Sequence, residues 1–166
     1  MTFENLSTHS VDHAEVREVK SSVVLVADDD TDDCELLSFA FSEIIGPESC
    51  DLRFVEDGHE LLQYLRREDR YSGAGSAPRP ALILLDFNMP KMDGREALVQ
   101  IKADANLRRT PVVVLSTSAA DEDIDFAYDN GAAGYITKPA SVDDLVAMVS
   151  HLCGYWHDTV TLPRGE

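Results

Sequence analysis

The chain has 166 residues, with 31 Asp and Glu against 14 Lys and Arg, for a formal net charge of −17. That length and a hydrophobic content of 44% describe one globular domain with room for a core but not for a second catalytic module. A surface this acidic repels phosphate backbones and anionic lipid, so neither a nucleic-acid partner nor a membrane partner is expected.

Residues 1–21 read as a polar N-terminal extension without the apolar run of a secretory signal, and the expected location is the cytoplasm. The longest stretch free of Asp, Glu, Lys and Arg, Leu145 to His157, is 13 residues, short of the roughly 17 to 25 that span a bilayer. From residue 22 onward, short β-branched apolar runs alternate with amphipathic segments, the pattern of βαβ units around a parallel sheet. The first run, Val23–Ala27, leads into a helix starting near Asp30 to Asp33 and stopped by Gly46-Pro47. Leu52–Val55 is a weaker, edge-like strand followed by a helix after Asp57-Gly58. The Gly/Ser/Pro-rich stretch Ser72–Pro80 is expected to be a mobile surface loop. Ala81–Leu85 is a fully apolar strand, followed by a helix after Asp93-Gly94. Pro111–Leu115 precedes a helix from about Asp121 to Asn130-Gly131. Gly134–Thr137 is the other edge strand, and the last helix opens on Ser141-x-x-Asp144, a capping-box-like start. The expected fold is α/β, a doubly wound five-stranded parallel sheet with five helices. Residues 22–153 form the domain and 154–166 a C-terminal extension. Cys34, Cys50 and Cys153, widely spaced and without a CxxC, read as reduced, partly buried thiols.

In an open parallel sheet, reactive groups gather beyond the carboxyl ends of the strands. Strand 1 runs into Asp28-Asp29-Asp30, and strand 3 ends in Asp86. If strands 1 and 3 are neighbours, as in the flavodoxin-like order 2-1-3-4-5, then Asp28, Asp29 and Asp86 converge. Two carboxylates about 4 Å apart repel by roughly 4 kcal/mol at an effective dielectric near 20, so three together require neutralisation. Protons or a divalent cation can supply it, and an all-oxygen site selects Mg²⁺ or Mn²⁺ over zinc. Strand 4 adds the hydroxyl of Ser116 and strand 5 the ammonium of Lys138. A carboxylate nucleophile, a cation, a hydroxyl and an ammonium around one point are the equipment for phosphoryl transfer. Asp30, Asp32 and Asp33 read as helix N-cap acids. No GxGxxG, GxxxxGK[ST] or nucleophile elbow is present.

The segments VLVADDD, LILLDFNMPKMDG, VVVLSTS and GYITKP resemble the receiver domain of bacterial two-component response regulators over about Val23 to Cys153. The resemblance implies that Asp86 accepts a phosphoryl group from a phosphohistidine of a sensor histidine kinase. It implies a Mg²⁺ site, with Mn²⁺ or Ca²⁺ able to substitute, made by Asp29 directly, Asp28 through water, Asp86, and the main-chain carbonyl of Asn88. It implies that Ser116 and Lys138 bind the phosphoryl oxygens, with a cis Lys138-Pro139 peptide, and that Tyr135 switches rotamer to signal through the helix 4, strand 5, helix 5 face. Asn88 and Ser118 fall where relatives tune the lifetime of the acyl phosphate. The DDD-x-DD-x-EL opening, the LSTSAADEDI segment and the YWHDTVTLP tail resemble the single-domain regulators that pair with bacteriophytochromes, which lack an output domain. That finer resemblance implies a bacteriophytochrome as the kinase and a homodimer built on Tyr155, Trp156, Val160 and Leu162. An aspartyl-nucleophile phosphatase is the enzymatic alternative, but Asp86-Phe87-Asn88 lacks its Asp-x-Asp. A receiver that serves only as a binding module is the non-chemical one.

Overall fold

The computed structural model describes residues 22–46 and 49–163; the N-terminal extension and Pro47 lie outside them. Five parallel strands, β1 (Ser22–Ala27), β2 (Cys50–Val55), β3 (Leu82–Leu85), β4 (Val112–Ser116) and β5 (Gly134–Thr137), form one sheet in the order β2-β1-β3-β4-β5. They alternate with helices α1 (Thr31–Ile45), α2 (Gly58–Arg66), α3 (Gly94–Ala103), α4 (Asp121–Asp129) and α5 (Val142–Leu152). The three central strands are buried almost throughout, as strands covered on both faces must be, whereas β2 and β5 are only partly covered.

Alternation along each strand divides the core in two. Leu25, Ile83, Leu85 and Val114 face α2, α3 and α4 through Leu61, Leu98, Ile101 and Ala127. Val24, Val26, Leu84 and Val113 face α1 and α5 through Leu37, Phe41, Leu145 and Val149. Asp side chains cap three of the five helices: Asp30 accepts from the amides of Asp32 and Asp33, Asp57 from Glu60, and Asp93 from Glu96. Ser141 caps α5 by accepting from the Asp144 amide, as the sequence predicts, and Gly46 ends α1 at φ +73°.

Two segments depart from the expectation. The stretch from Ser72 to Pro80, expected to be mobile, is tied down. Ala77 and Pro80 are buried, the Ser76 hydroxyl donates to the carbonyls of Tyr71 and Gly73, and the Tyr64 hydroxyl donates to the Pro78 carbonyl at 2.9 Å. A short 3-10 turn, Asp69–Tyr71, leads into it. After α5 the chain makes one π-helical turn, Cys153–His157, and folds back on its own domain. Trp156 and Leu162 line a small apolar hollow with Val24, Phe41, Ile45 and Cys153, so half of the proposed dimer set is partly spent within the chain. Tyr155 is 53% exposed.

The β3–α3 connection is tight. The Gly94 amide donates to the Phe87 carbonyl at 3.0 Å, and a Cβ at position 94 would lie 2.1 Å from the Asp86 carbonyl oxygen. Only glycine admits this approach of α3 to the end of β3. Gly94→Ala is expected to destabilise the protein by about 1 to 3 kcal/mol, since the backbone must shift to relieve the overlap. A lower urea midpoint checks this.

Candidate functional site

The parallel register carries three acidic or basic residues to one end of the sheet. Each strand's ladder extends one residue further: the Asp86 amide donates to Ala27 O at 2.9 Å, the Asp28 amide to Val55 O at 3.0 Å, and the Lys138 amide to Ser116 O at 2.8 Å. Asp28, Asp86, Ser116 and Lys138 are thus placed by backbone hydrogen bonds. Asp28 and Asp86 are 3% and 6% exposed, and Ser116 is fully buried.

The Lys138 ammonium is the hub. Its Nζ donates to Asp28 Oδ2 at 2.8 Å, Asp33 Oδ2 at 2.7 Å and Asp86 Oδ2 at 3.0 Å, using all three of its protons. The other oxygens are also engaged: Asp28 Oδ1 accepts the Asp30 amide and Asp86 Oδ1 the Asn88 amide, each at 3.0 Å. Burial pulls the Lys138 pKa down, but the three carboxylates overcome it and hold the group above the ordinary lysine value. Burial, reinforced by the charge of Asp86, raises the Asp28 carboxyl above 3.8 in spite of Lys138 and the Asp30 amide. Burial and the surrounding acids push the Cys34 thiol, whose Sγ lies 3.7 Å from the Asp28 carbonyl, up to about 12, which keeps it protonated and inert.

Asp28, Asp29 and Asp86 each offer an oxygen such that all three lie within 4.8 Å of one another, with Asp29 open to solvent. Three hard carboxylate oxygens on one open face fit an octahedral divalent cation and suit neither zinc nor copper. Asn88 is exposed beside them, its side-chain amide 3.5 Å from Ser116 Oγ.

A second network leads away from the site. The Tyr135 hydroxyl donates to Ser118 O at 2.8 Å, Ser118 Oγ donates to Asp123 Oδ2 at 2.6 Å, and Arg95 binds Asp123 Oδ1. Arg95 also lies over the Phe87 ring, which meets Phe126 and Tyr135 edge-on. Ser118 and then Arg95 hold the Asp123 carboxyl below its usual value. A packed path therefore runs from the residue after Asp86, through α3 and α4, to β5.

All the sequence-expected groups at the strand ends converge, with two corrections. Asp32 and Asp33 are not capping acids: Asp30 caps α1 alone, and the Asp33 carboxylate turns to Lys138, which offers a charged partner where the α1 terminus offers only partial charges. No cis peptide occurs among the described residues, so Lys138-Pro139 is trans; the ammonium reaches its three partners from that geometry, and the trans isomer is the intrinsically favoured one. Arg95, Asp123 and Phe87 carry no sequence signal that sets them apart from ordinary helix charges and core aromatics.

The family model of the response regulator receiver domain matches residues 24–150, and the chain belongs to that family. It is 38% identical over 143 residues to the response regulator Rcp1 of Synechocystis sp., covering 85% of this chain and 92% of that protein. The structure of the Mn²⁺-bound form of Rcp1 superposes with a TM-score of 0.76 at 36% identity, covering 86% and 99% of the two chains. The phosphorylated cyanobacterial phytochrome response regulator RcpA superposes with a TM-score of 0.80 at 40% identity, over 87% and 99%. A response regulator in red light signaling of R. palustris gives 0.80 at 38% identity, over 86% and 99%. No helix among the described residues is long and apolar enough to cross a membrane.

A carboxyl whose folded pKa is raised makes the folded state hold its proton more tightly than the unfolded chain does. Its contribution to stability is most favourable at low pH and declines as pH rises through the window above 3.8. Asp28→Asn, which keeps the shape and removes the charge, is therefore expected to raise the thermal midpoint in metal-free buffer at neutral pH and to flatten the decline across that window. Calorimetry as a function of pH checks both; a lower midpoint with an unchanged slope would count against this account.

Proposed function

We propose that the protein is a phospho-accepting regulator in which Asp86 takes a phosphoryl group from a phosphohistidine of a sensor histidine kinase. The observation that carries this reading is the position of Asp86, on the last rung of β3, hydrogen-bonded to Lys138 and flanked by Asp28 and Asp29. Membership in the receiver family supports the reaction class.

In this reading an Asp86 carboxylate oxygen attacks phosphorus, the P–N bond to the donor imidazole breaks, and the nitrogen takes back a proton. Lys138 stays charged and attracts a phosphoryl oxygen as the negative charge on Asp86 is shared with the incoming group. Ser116 Oγ, one strand over, donates to another oxygen. Asp28, Asp29, Asp86 and the Asn88 carbonyl would hold Mg²⁺, or Mn²⁺ or Ca²⁺ in its place. When bound, the cation supplies the charge that lets a dianionic group approach several carboxylates. Tyr135 and Ser118, joined through the Ser118 carbonyl, make the β4–α4 connection the route by which the α4, β5, α5 face responds. Two of the solved structures similar to this chain are named a cyanobacterial phytochrome response regulator and a bacteriophytochrome response regulator, which supports a bacteriophytochrome as the kinase. Residues 22–153 are the receiver unit and 154–166 a homodimerisation arm built on Tyr155, Trp156, Val160 and Leu162, of which Trp156 and Leu162 also seat it against the domain.

Two measurements test the reading. Acetyl phosphate with Mg²⁺ is expected to add one phosphoryl group by mass spectrometry, and none to Asp86→Asn; a modified Asn variant would refute Asp86 as acceptor. Sedimentation is expected to show weaker self-association for Tyr155→Ser and for a chain truncated after Cys153. An unchanged dimer in both removes the arm from the interface.

A further inference from the structure

The eleven Lys and Arg of the described residues fall into two groups. Arg53, Arg70, Lys91, Arg95 and Lys138 pair with carboxylates. Arg66, Arg67, Arg79, Lys102, Arg108 and Arg109 reach none among the described residues, and all six lie in the end of α2, the loop before β3, and the stretch from α3 to β4. In a chain with more than twice as many acids as bases, the uncompensated cations are gathered at the amino ends of β3 and β4, the end opposite Asp86.

Three of them surround a cavity of about 280 Å³. Each is held in place by one neutral acceptor: Arg66 Nη2 donates to Gln100 Oε1 at 3.3 Å, Arg67 Nε to Ala77 O at 3.3 Å, and Arg79 Nη2 to Asn106 O at 3.1 Å. A guanidinium has five N–H donors, so each keeps others for a ligand. Tyr64, Pro80 and Leu107, all buried, add apolar surface to the lining. Pro78 and Pro80 fix the backbone on both sides of Arg79. The lining holds three guanidinium groups against one acid, Asp104, whose Oδ1 accepts the Asn106 amide at 2.8 Å.

We propose that this pocket docks a short acidic segment of a partner protein, its carboxylates forked by Arg66, Arg67 and Arg79 and an apolar side chain resting on Tyr64, Pro80 and Leu107. Guanidinium forks match carboxylates in pairs, and the patch is a local exception on a surface whose charge repels an extended polyanion. A groove this small takes a few residues of peptide, not a nucleic-acid backbone. Its place at the far end of the sheet leaves Asp86 accessible while the partner is held.

The test is an NMR titration of the full chain, in metal-free buffer, with an N-acetylated hexaglutamate peptide and separately with inorganic phosphate. The expected result is saturable amide shifts at Arg67, Ala77 and Asn106 with the peptide. Asp86→Asn should leave them unchanged. The triple variant Arg66→Gln, Arg67→Gln, Arg79→Gln should bind at least tenfold more weakly while keeping a dispersed, folded spectrum. Absence of saturable shifts, or equal binding by the triple variant, overturns the proposal; equal saturation by phosphate assigns the pocket to small anions and overturns the peptide reading. Neither result bears on phosphorylation of Asp86, which acetyl phosphate tests separately.

Discussion

One ammonium holds the reactive end of this protein together. Lys138 draws in Asp28, Asp33 and Asp86, from β1, α1 and β3, across 110, 105 and 52 residues of chain. Without it those acids, with Asp29 beside them, would repel each other by several kcal/mol at any reasonable effective dielectric. With it they still carry an excess of negative charge, which is what makes the cluster a sink for cations. The raised pKa values of Asp28 and Lys138 come from opposite sides of one cluster: burial raises the Asp28 carboxyl, whereas Lys138 is raised against its burial by the three carboxylates it binds.

The same balance explains the path to the far side of the sheet. Ser116 and Lys138 are adjacent in space through one backbone bond, and the Tyr135 hydroxyl donates to the Ser118 carbonyl, so β5 is tied to the end of β4 and to the β4–α4 connection. Asp123, held ionised by Ser118 and Arg95, fastens the start of α4 to α3. Arg95 in turn rests on Phe87, next in sequence to Asp86. An altered charge at Asp86 is felt by Lys138 and Ser116 first, and any shift of the β4–α4 connection must then break or carry along this small set of polar contacts.

Much of this was legible in the sequence because an apolar run that ends in a charge marks both a strand and its functional end. Asp86 after Leu82 to Leu85, and Asp28 after Val23 to Ala27, needed no tertiary information, whereas their convergence rested on the flavodoxin-like strand order, which the sheet has. Asp33 was not legible. An acid in the first turn of a helix looks like a capping residue, and only the packing of α1 against a lysine from β5 turns it toward the site. The loop before β3 misled for a related reason: Gly, Ser and Pro mark a lack of regular structure, but the carbonyls of such a loop are free to accept from Tyr64 and Arg67, and they do. The tail pattern of Tyr155, Trp156, Val160 and Leu162 called for an apolar partner without naming it, and the chain's own core covers part of that need.

The close contact at Gly94 divides the site into a stationary half and a movable half. The Asp86 peptide is gripped on one edge by β1, through its amide, and on the other by the start of α3, which leaves no room even for a methyl group. The Asp86 main chain is in effect an anvil. A change at its carboxylate is therefore met first by side chains rather than by the main chain: by Lys138, whose long stem ends in a hydrogen bond to Asp86 Oδ2, and by the strand ends of β4 and β5 to which Ser116 and Lys138 belong.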